Sequence, residues 1–339
     1  MTKQQITELL KHGWFEDSPI KGRLIETHIS WVIITRAYAF KIKKPMQYSF
    51  LDFSTLKKRK FYCNRELELN KSLAGDMYLD ILPIRQVDHH LEIGGNQGMI
   101  LDYAVRMKRM SIAKQMNVLL EKEQVDINNI YALAEKIAAF HIRAKVIKTD
   151  PDLSVMERDF SDLMNVKDFV SENLGSDFVD MIENAVTQNS KFLKKHTALV
   201  KERAREGYVR ECHGDLHSRN IFLYKNPVIF DCIEFNDHFR RIDVLNEIAF
   251  FCMDLEAFGN DTLSQVFLDK YLSLFPCAQT EDELKLFNYY KAYRANIRAK
   301  VNALRAMSAK NDSEKRHNLN EVKKYLRLME RYSEWNRNS

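Results

Sequence analysis

The chain carries the stretch CHGDLHSRN at residues 212–220, followed after a short apolar run by VIFDCIE at residues 228–234. Asp215 therefore stands five residues before Asn220, and a second aspartate, Asp231, ends the next apolar segment. A loop carboxylate can accept the proton of a hydroxyl group, and amide and carboxylate oxygens are the hard ligands that magnesium prefers. This order and spacing is typical of phosphoryl-transfer sites.

Each of these residues also has a simpler interpretation. Asp215 and Asn220 could be ordinary turn residues and Asp231 a polar strand end, because short polar side chains favour such positions. The three together, with apolar segments between them, favour phosphoryl transfer. A zinc site at His213 and His217 is disfavoured, because the intervening glycine opposes a helix and no glutamate follows the first histidine.

The amino-acid composition limits the classes of protein to which the chain can belong. The chain has 339 residues and 45% hydrophobic content, enough for a large globular core. Its 52 basic residues nearly match 47 acidic ones, so charge does not indicate a nucleic-acid partner. The five cysteines never form a Cys-x-x-Cys pair, which fits a reducing compartment. No apolar stretch approaches the length of a membrane span, so we expect a soluble cytoplasmic protein without a membrane partner.

The hydrophobic pattern changes near residue 108. Before it, segments rich in β-branched and aromatic residues predict strands, at 24–34, 38–42, 77–84 and 99–107. Residues 54–73 predict one long amphipathic helix, capped by Ser54 or Thr55. After residue 110 helical spacing dominates, interrupted at 208–235. We therefore predict one unit with a β-rich nucleotide-binding lobe at 1–108 and a helical catalytic and substrate lobe at 109–339.

The stretch at 212–220 and the strand after it resemble the catalytic loop and metal-binding strand of the aminoglycoside phosphotransferase and choline kinase branch of the protein-kinase-like superfamily. Four segments narrow the resemblance to a bacterial group of predicted kinases: ETHISWV at 26–32, YAFKIKKP at 38–45, FLDFS at 50–54 and DCIEFN at 231–236. Members of that group often carry an added C-terminal P-loop kinase domain. This chain lacks a Gly-x-x-x-x-Gly-Lys-Ser/Thr run, so we expect the kinase-like unit alone.

The resemblance implies an α+β, bilobal protein-kinase-like fold with a small antiparallel sheet and a large helical lobe. It implies an enzyme that uses ATP and Mg²⁺ to transfer the γ-phosphate to a hydroxyl group of a small molecule. In that reaction Asp215 is the catalytic base, and Asn220 and Asp231 are the magnesium ligands.

The same resemblance implies which residues contact the nucleotide. Lys41 takes the place of the strand lysine that contacts the α- and β-phosphates, and Glu66 that of the helix glutamate that holds it. Lys43 shares the strand face of Lys41, so either lysine could serve; an exposed lysine on an edge strand is the simpler alternative. The hairpin that covers the phosphates lacks glycines and carries small polar residues instead, with Ser30 as the candidate nucleotide contact beside Thr27 and His28.

Two departures from protein kinases favour the small-molecule branch. Gly214 stands where those enzymes have an arginine that binds a phosphorylated activation loop, and Cys232 and Ile233 replace the Phe-Gly pair after the metal-binding aspartate. Activation-loop control is therefore not expected. The alternatives are a nucleotide-binding regulatory or scaffold module with little transfer activity, and a protein-modifying kinase.

Two acidic residues near the motif have open roles. Asp243 resembles the residue that supports the catalytic loop from the following helix, although an N-terminal helix cap is the simpler interpretation. Glu234 either reaches the metal site through water or is a surface carboxylate.

A basic helix gives an indication of the charge of the phosphate acceptor. Arg294, Arg298 and Arg305 share one face of a segment with no acidic residue from Lys291 to Lys310. Polycationic aminoglycosides need acidic pockets, so an aminoglycoside acceptor is disfavoured. If this face lines the substrate cleft, the hydroxyl acceptor is expected to carry a phosphate or carboxylate; the alternative is a solvated surface face.

Overall fold

A computed structural model describes residues 1–338, and residues 334–338 by backbone alone. The chain forms two compact units: Met1–Lys122 joined by Arg219–Arg240, and Glu123–Ser218 joined by the chain from Arg241 onward. The first contains the main sheet and the second is almost entirely helical, which confirms the predicted α+β class. This division differs from a boundary at residue 108, because residues 219–240 pack with the sheet.

The strands of the first unit are β1 (Trp14–Phe15), β2 (Ser18–Pro19), β3 (Gly22–Glu26), β4 (Ser30–Thr35), β5 (Tyr38–Lys43), β6 (Gln47–Tyr48), β7 (Leu51–Asp52), β8 (Tyr78–Val87), β9 (His90–Ile93) and β10 (Met99–Lys108). The remaining strands are β11 (Val209–Glu211) and β14 (Arg241–Asp243), which pair in the helical unit, and β12 (Ile221–Phe222) and β13 (Val228–Ile229), which pair in the sheet unit.

The main sheet has the order β2-β1-β9-β8-β10-β5-β4-β3 and is antiparallel except between β1 and β9. The segment predicted as one strand at 24–34 is two strands, β3 and β4, because the chain reverses at a turn that Thr27 closes. The Thr27 hydroxyl accepts a hydrogen bond from the Ser30 backbone N–H at 2.9 Å. Strand β5 lies between β10 and β4, so the interpretation of Lys41 as an edge-strand lysine is wrong.

Helices cover both faces of β5 in the sheet unit, where the helices are α1 (Lys3–His12), α2 (Leu56–Ala74) and α3 (Met116–Leu120). Phe40 and Ile42 belong to the core that includes Ile6 and Leu9 of α1. The opposite face of the strand carries Lys41 and Lys43, which reach Glu66 of α2. The predicted helix at 54–73 is confirmed as α2, and its N-cap is Thr55, whose side chain accepts from the Lys58 N–H.

The helical unit contains α4 (Ile127–Arg143), α5 (Leu153–Ser161), α6 (Lys167–Leu174), α7 (Ser176–Lys195), α8 (Thr197–Arg205), α9 (Val244–Ala257), α10 (Asp261–Leu274), α11 (Glu281–Met307) and α12 (Asp312–Asn338). Helix α9 is buried from Val244 through Leu255, which makes it the central helix of this unit. Within residues 1–338 no helix combines the length and the apolar character needed to cross a bilayer.

The helical unit also contains a buried ion pair. Arg203 of α8 donates two hydrogen bonds to Asp243, at 2.7 and 2.9 Å, and stacks over the Tyr208 ring at 4.4 Å. Arg203 also donates to the Cys277 carbonyl at 2.7 Å, so one side chain connects Asp243 with the backbone at Cys277. Removing a charged partner from such a site leaves an uncompensated buried charge, which is strongly destabilising.

We expect Arg203→Met to lower the free energy of unfolding by about 3–5 kcal/mol, since Asp243 would stay buried without its partner. Arg205 is the matched control on the same helix, because its pair with Asp150 at 2.9 Å is exposed. Arg205→Met should leave the free energy of unfolding almost unchanged, because exposed ion pairs contribute little to stability. Urea unfolding of both variants measures the difference, and equal losses would contradict the expectation.

Candidate functional site

The sheet unit joins Lys41, Glu66 and Asp231. The Lys41 ammonium group donates to the Glu66 Oε1 atom at 2.8 Å and to the Asp231 Oδ1 atom at 2.5 Å. The Glu66 side chain is fully buried and that of Lys41 is 11% exposed, whereas that of Asp231 is 42% exposed. A strand lysine, a helix glutamate and the aspartate of the metal-binding motif, separated by up to 190 residues in sequence, therefore form one continuous charged cluster.

Lys43 occupies a different environment from Lys41. Its ammonium group lies between the Glu66 Oε2 atom, at 2.7 Å, and the carboxylate of Glu234, and it sits 4.9 Å from the centre of the Phe53 ring. The Lys43 side chain is fully buried. Glu234 is also buried, so its interpretation as a surface carboxylate is wrong. Of the two lysines, Lys41 is the one with an accessible side chain.

Charge pairing outweighs burial for Glu66 and Lys41. Burial would raise the pKa of Glu66, but the neighbouring Lys41 and Lys43 lower it to about 2. Burial would lower the pKa of Lys41, but Asp231 and Glu66 raise it well above the ordinary value. Burial, reinforced by the negative charge of Glu66, raises the pKa of Glu234. Lys41 is therefore a permanent cation at neutral pH.

A short hairpin places the two predicted magnesium ligands side by side. Strands β12 and β13 pair Ile221 with Ile229, and the Phe230 N–H donates to the Asn220 carbonyl at 3.0 Å. The next residue, Asp231, has a φ of 64°, in the left-handed region that non-glycine residues seldom adopt. Such backbone strain is concentrated at functional sites.

Two hydrogen bonds, one to β8 and one to α2, hold the strained segment. The Asp231 N–H donates to the Tyr78 hydroxyl at 3.3 Å, and the Cys232 N–H donates to the Asn70 Oδ1 atom at 3.0 Å. Asn70 stands four residues after Glu66, so one face of α2 contacts both Lys41 and the segment that follows Asp231. Sequence reasoning missed Asn70 and Tyr78; the only signal was the i, i+4 spacing of Asn70 from Glu66.

Asp215 lies in the helical unit, on the loop before Ser218. One of its carboxylate oxygens is 3.3 Å from the His217 Nε2 atom, and its side chain is 39% exposed. Burial would raise the pKa of this carboxyl group, but the positive potential of His217, Arg298 and His213 holds it well below the usual range. Asp215 is therefore ionised at neutral pH. His217 faces this carboxylate, which gives no support to the zinc alternative.

Glu247 of α9 anchors the loop that carries Asp215. Its carboxylate accepts hydrogen bonds from the His213 N–H at 2.9 Å and the Gly214 N–H at 2.6 Å. Gly214 has a φ of 89°, which glycine adopts readily and which lets consecutive N–H groups point to one carboxylate. Two turns later on α9, the Asp254 carboxylate accepts from the Ser218 N–H at 2.7 Å.

For Asp243 the helix-cap interpretation is confirmed, and its predicted support of the loop stays a prediction. Asp243 caps α9 by accepting from the Leu245 N–H at 2.8 Å, and its charge is paired with Arg203. Glu247 and Asp254 were missed. The available signal was the seven-residue spacing of Glu247 and Asp254 in a mainly apolar helix, which places them on one face.

A buried chain of hydrogen bonds holds Glu247 itself. His141 of α4 lies with its Nε2 atom 2.9 Å from Glu247 and its Nδ1 atom 2.6 Å from the Tyr271 hydroxyl. Burial would raise the pKa of Glu247, but the hydrogen bond and charge of His141 and the His213 N–H lower it to about 2. The hydrogen bonds that hold the loop therefore go to an ionised carboxylate.

Two arginines of the basic face approach the same loop. Arg294 donates to the Gly214 carbonyl at 3.1 Å and to Asn246 at 2.6 Å. Arg298 is buried, and its Nε atom has no hydrogen-bond partner in the described residues. Burial would lower the pKa of this guanidinium, but Tyr325 and the carboxylates of Asp254 and Asp215 raise it. The solvated-face interpretation is wrong for Arg294 and Arg298.

Ser30 is fully buried at the start of β4, and its Oγ atom has no partner in the described residues. The Thr27 hydroxyl donates to the Ser30 carbonyl at 3.0 Å, which closes the turn between β3 and β4. The predicted nucleotide contact by Ser30 stays a prediction.

Comparison with solved structures identifies the fold. A choline kinase of Cryptosporidium parvum matches with a TM-score of 0.53 and 12% identity over 91% of this chain and 88% of that one. A mutant aminoglycoside 2'-phosphotransferase-IIIa in complex with GDP matches with a TM-score of 0.52 and 13% identity over 99% of both chains. The chain has the protein-kinase-like fold of these enzymes. The fold predicted from the catalytic-loop motif is confirmed.

Sequence relatives of this kinase-like chain carry no assigned activity. Uncharacterized proteins of Mycobacterium tuberculosis and Mycobacterium bovis are 31% identical to it over 292 residues, which is 84% of this chain and 55% of theirs. The chain therefore spans about half the length of the curated relatives it matches. No family model matches the chain.

The anchoring carboxylate gives a pH-dependent prediction. Because the pKa of Glu247 falls from 4.5 to about 2 on folding, its ionised form stabilises the protein above pH 4.5. We expect Glu247→Gln to lower the free energy of unfolding by about 3 kcal/mol at pH 7. That deficit should narrow as the pH falls from 4.5 towards 2, since wild-type Glu247 then takes up a proton.

Urea unfolding of wild type and variant across this pH range measures the effect. Glu202→Gln, at an exposed position of α8, is the control and should follow the wild-type profile. A deficit for Glu247→Gln that stays constant down to pH 2.5 would show that its charge does not anchor the loop.

Proposed function

We propose that the protein is a kinase that uses ATP and Mg²⁺ to phosphorylate a hydroxyl group of a small molecule. The observation that carries this proposal is the Lys41 ammonium group held between Glu66 at 2.8 Å and Asp231 at 2.5 Å. This arrangement matches the lysine, glutamate and metal-binding aspartate that phosphoryl transfer by kinase-like folds requires. The fold is shared with a choline kinase and aminoglycoside phosphotransferases, which supports the same class of reaction.

Lys41 would contact the phosphates of the nucleotide. Its charge is retained at neutral pH, and its side chain remains partly accessible while Glu66 fixes its position. Lys43 is enclosed by Glu66 and Glu234, so we assign it to the support of Glu66 and not to the phosphates.

The residues at the β12–β13 hairpin fit a magnesium ion. Asp231 uses one carboxylate oxygen for Lys41, its side chain is 42% exposed, and its Oδ2 atom has no partner in the described residues. Asn220, directly before β12, would add an amide oxygen. A bound Mg²⁺ would neutralise negative charge on the phosphates.

Asp215 would act on the acceptor. As an ionised carboxylate it accepts a hydrogen bond from the acceptor hydroxyl and orients its oxygen. The hydroxyl oxygen then forms a bond to the γ-phosphorus, the bond from that phosphorus to the β–γ bridging oxygen breaks, and ADP leaves. Asp215 takes the hydroxyl proton.

Buried cations near Asp215 favour an acceptor with an anionic group. Arg298 has an Nε atom without a hydrogen-bond partner in the described residues, and its charge acts on Asp215. A phosphate or carboxylate would supply the missing acceptor atom, because guanidinium groups bind such oxygens with two parallel hydrogen bonds. The same charge opposes polycationic acceptors.

The separate roles proposed for Asp215 in turnover and Lys41 in ATP binding can be tested by mutation. We expect Asp215→Asn to lower kcat by about 10²–10⁴-fold while Mg²⁺-dependent ATP binding stays near normal, because the nucleotide contacts lie in the other unit. Lys41→Met should instead weaken ATP binding, and Lys71→Met, at an exposed position of α2, is the control. ADP release with pooled hydroxyl metabolites and peptides measures turnover, and calorimetry measures binding.

Near-normal turnover in the Asp215→Asn variant would overturn the assignment of the base. Magnesium-dependent ATP binding without acceptor-stimulated ADP release would favour the nucleotide-binding module, and release with peptides alone would favour a protein kinase.

The charge of the acceptor gives a second prediction. Among the compounds that stimulate ADP release, those with a phosphate or carboxylate should dominate. For them, Arg298→Met should raise KM roughly tenfold or more, since the loss of one charge-assisted hydrogen bond is about 1.5–3 kcal/mol. Arg298→Lys should restore part of the loss, and Arg305→Met on the same helix is the control. Preference for cationic acceptors, with KM unchanged in Arg298→Met, would contradict the proposal.

A further inference from the structure

The helical unit contains a cleft of about 400 Å³ that the proposed reaction does not use. Its walls come from α5, α7, α11 and α12. A cleft of this size is in the range of small-molecule binding sites. Among the side chains that the structure describes, the lining includes lysines and a histidine but no aspartate or glutamate.

The rim of the cleft is positively charged. Lys191 and Lys195 stand four residues apart on α7, so they project from one face of the helix. Both are exposed, and neither has an ion-pair partner in the described residues. A third lysine of the lining, Lys285, is neutralised by Glu281 at 2.7 Å. Two uncompensated cations therefore flank the opening.

The wall of the cleft carries an unsatisfied donor. Asn189 is 3% exposed, and its Oδ1 atom accepts from the Tyr289 hydroxyl at 2.8 Å. That bond fixes the amide group, but its Nδ2 atom is buried without a hydrogen-bond partner in the described residues. An unsatisfied buried N–H group costs about 1–3 kcal/mol, and an oxygen atom of a bound ligand would remove that cost.

Stacked aromatic rings form the apolar wall of the cleft. The Phe192 ring lies 4.3 Å from the His196 ring and 4.7 Å from the Tyr289 ring, and these stacked contacts hold its orientation. Phe160 and Ala292 continue this apolar surface. A ligand with an apolar body would therefore meet a preformed wall, which lowers the entropy cost of binding.

The cleft is separate from the catalytic loop. Lys285, Tyr289 and Ala292 line it at i, i+4 and i+7 positions of α11, which lie on one helix face. Arg294, which contacts Gly214, and Arg298 are rotated by roughly half a turn from that face at 100° per residue. Helix α11 therefore presents one face to the cleft and the opposite face to the loop of Asp215.

We propose that this cleft binds a small organic anion, whose charged group contacts Lys191 and Lys195 and whose apolar body lies against Phe160 and Phe192. An oxygen atom of the same ligand accepts from the Asn189 Nδ2 atom. The ligand is thus an organic phosphate or carboxylate, bound at a second site in addition to the proposed acceptor and nucleotide.

Calorimetric titration with phenyl phosphate tests the proposal, with inorganic phosphate and benzyl alcohol as partial probes. Wild type should bind phenyl phosphate more tightly than either partial probe. Lys191→Glu with Lys195→Glu should weaken binding at least roughly tenfold, because both charges at the rim are reversed. Lys148→Glu with Lys194→Glu is the control, since it reverses two exposed lysines outside the cleft.

Two further results decide the outcome. Lys41→Met should bind phenyl phosphate as wild type does, so that loss of the proposed kinase activity and loss of this site are distinguishable. Equal binding by the rim variant and its control would overturn the proposal, as would the absence of binding to wild type at millimolar concentrations.

Discussion

The hydrogen bonds between the buried Glu247 carboxylate and two consecutive backbone N–H groups determine where Asp215 lies. Backbone donors in a buried loop must be paired, and here a side chain supplies the acceptor oxygens. Helix α9 supplies the acceptors, at Glu247 and, two turns on, at Asp254. The carboxylate can stay ionised inside the unit because His141 and the loop donors surround it. The position of the proposed base is therefore a property of the core and not of the loop alone.

A comparable constraint acts in the sheet unit, where Glu66 holds two lysines. One oxygen pairs with Lys41 and the other with Lys43, so neither lysine can shift without leaving a buried charge unpaired. Lys43 also pairs with Glu234, and both side chains are buried. Of the two lysines, Lys41 is the one whose side chain stays partly accessible, and its ammonium group also pairs with Asp231.

Much of the fold followed from local pattern. The strand segments, the long helix α2 and the helical character after residue 110 were predictable because period and turn chemistry are local properties. The very short strands β1, β2, β6 and β7 were not, since two residues carry no period. The division of the chain also needed the structure: residues 219–240 are sequential neighbours of the catalytic loop, but their apolar side chains pack with α2 and β10.

By itself, the sequence determined the set of chemical groups and the fold to which they belong. The spacing of Asp215, Asn220 and Asp231 is a local property that the chain carries without folding. Tertiary structure alone decided which lysine is accessible, which acid supports the loop, and that Arg298 is buried beside Asp215. Those facts depend on burial and on pairs that lie far apart in the chain, and the energy of a charge is set by its surroundings more than by its neighbours in sequence.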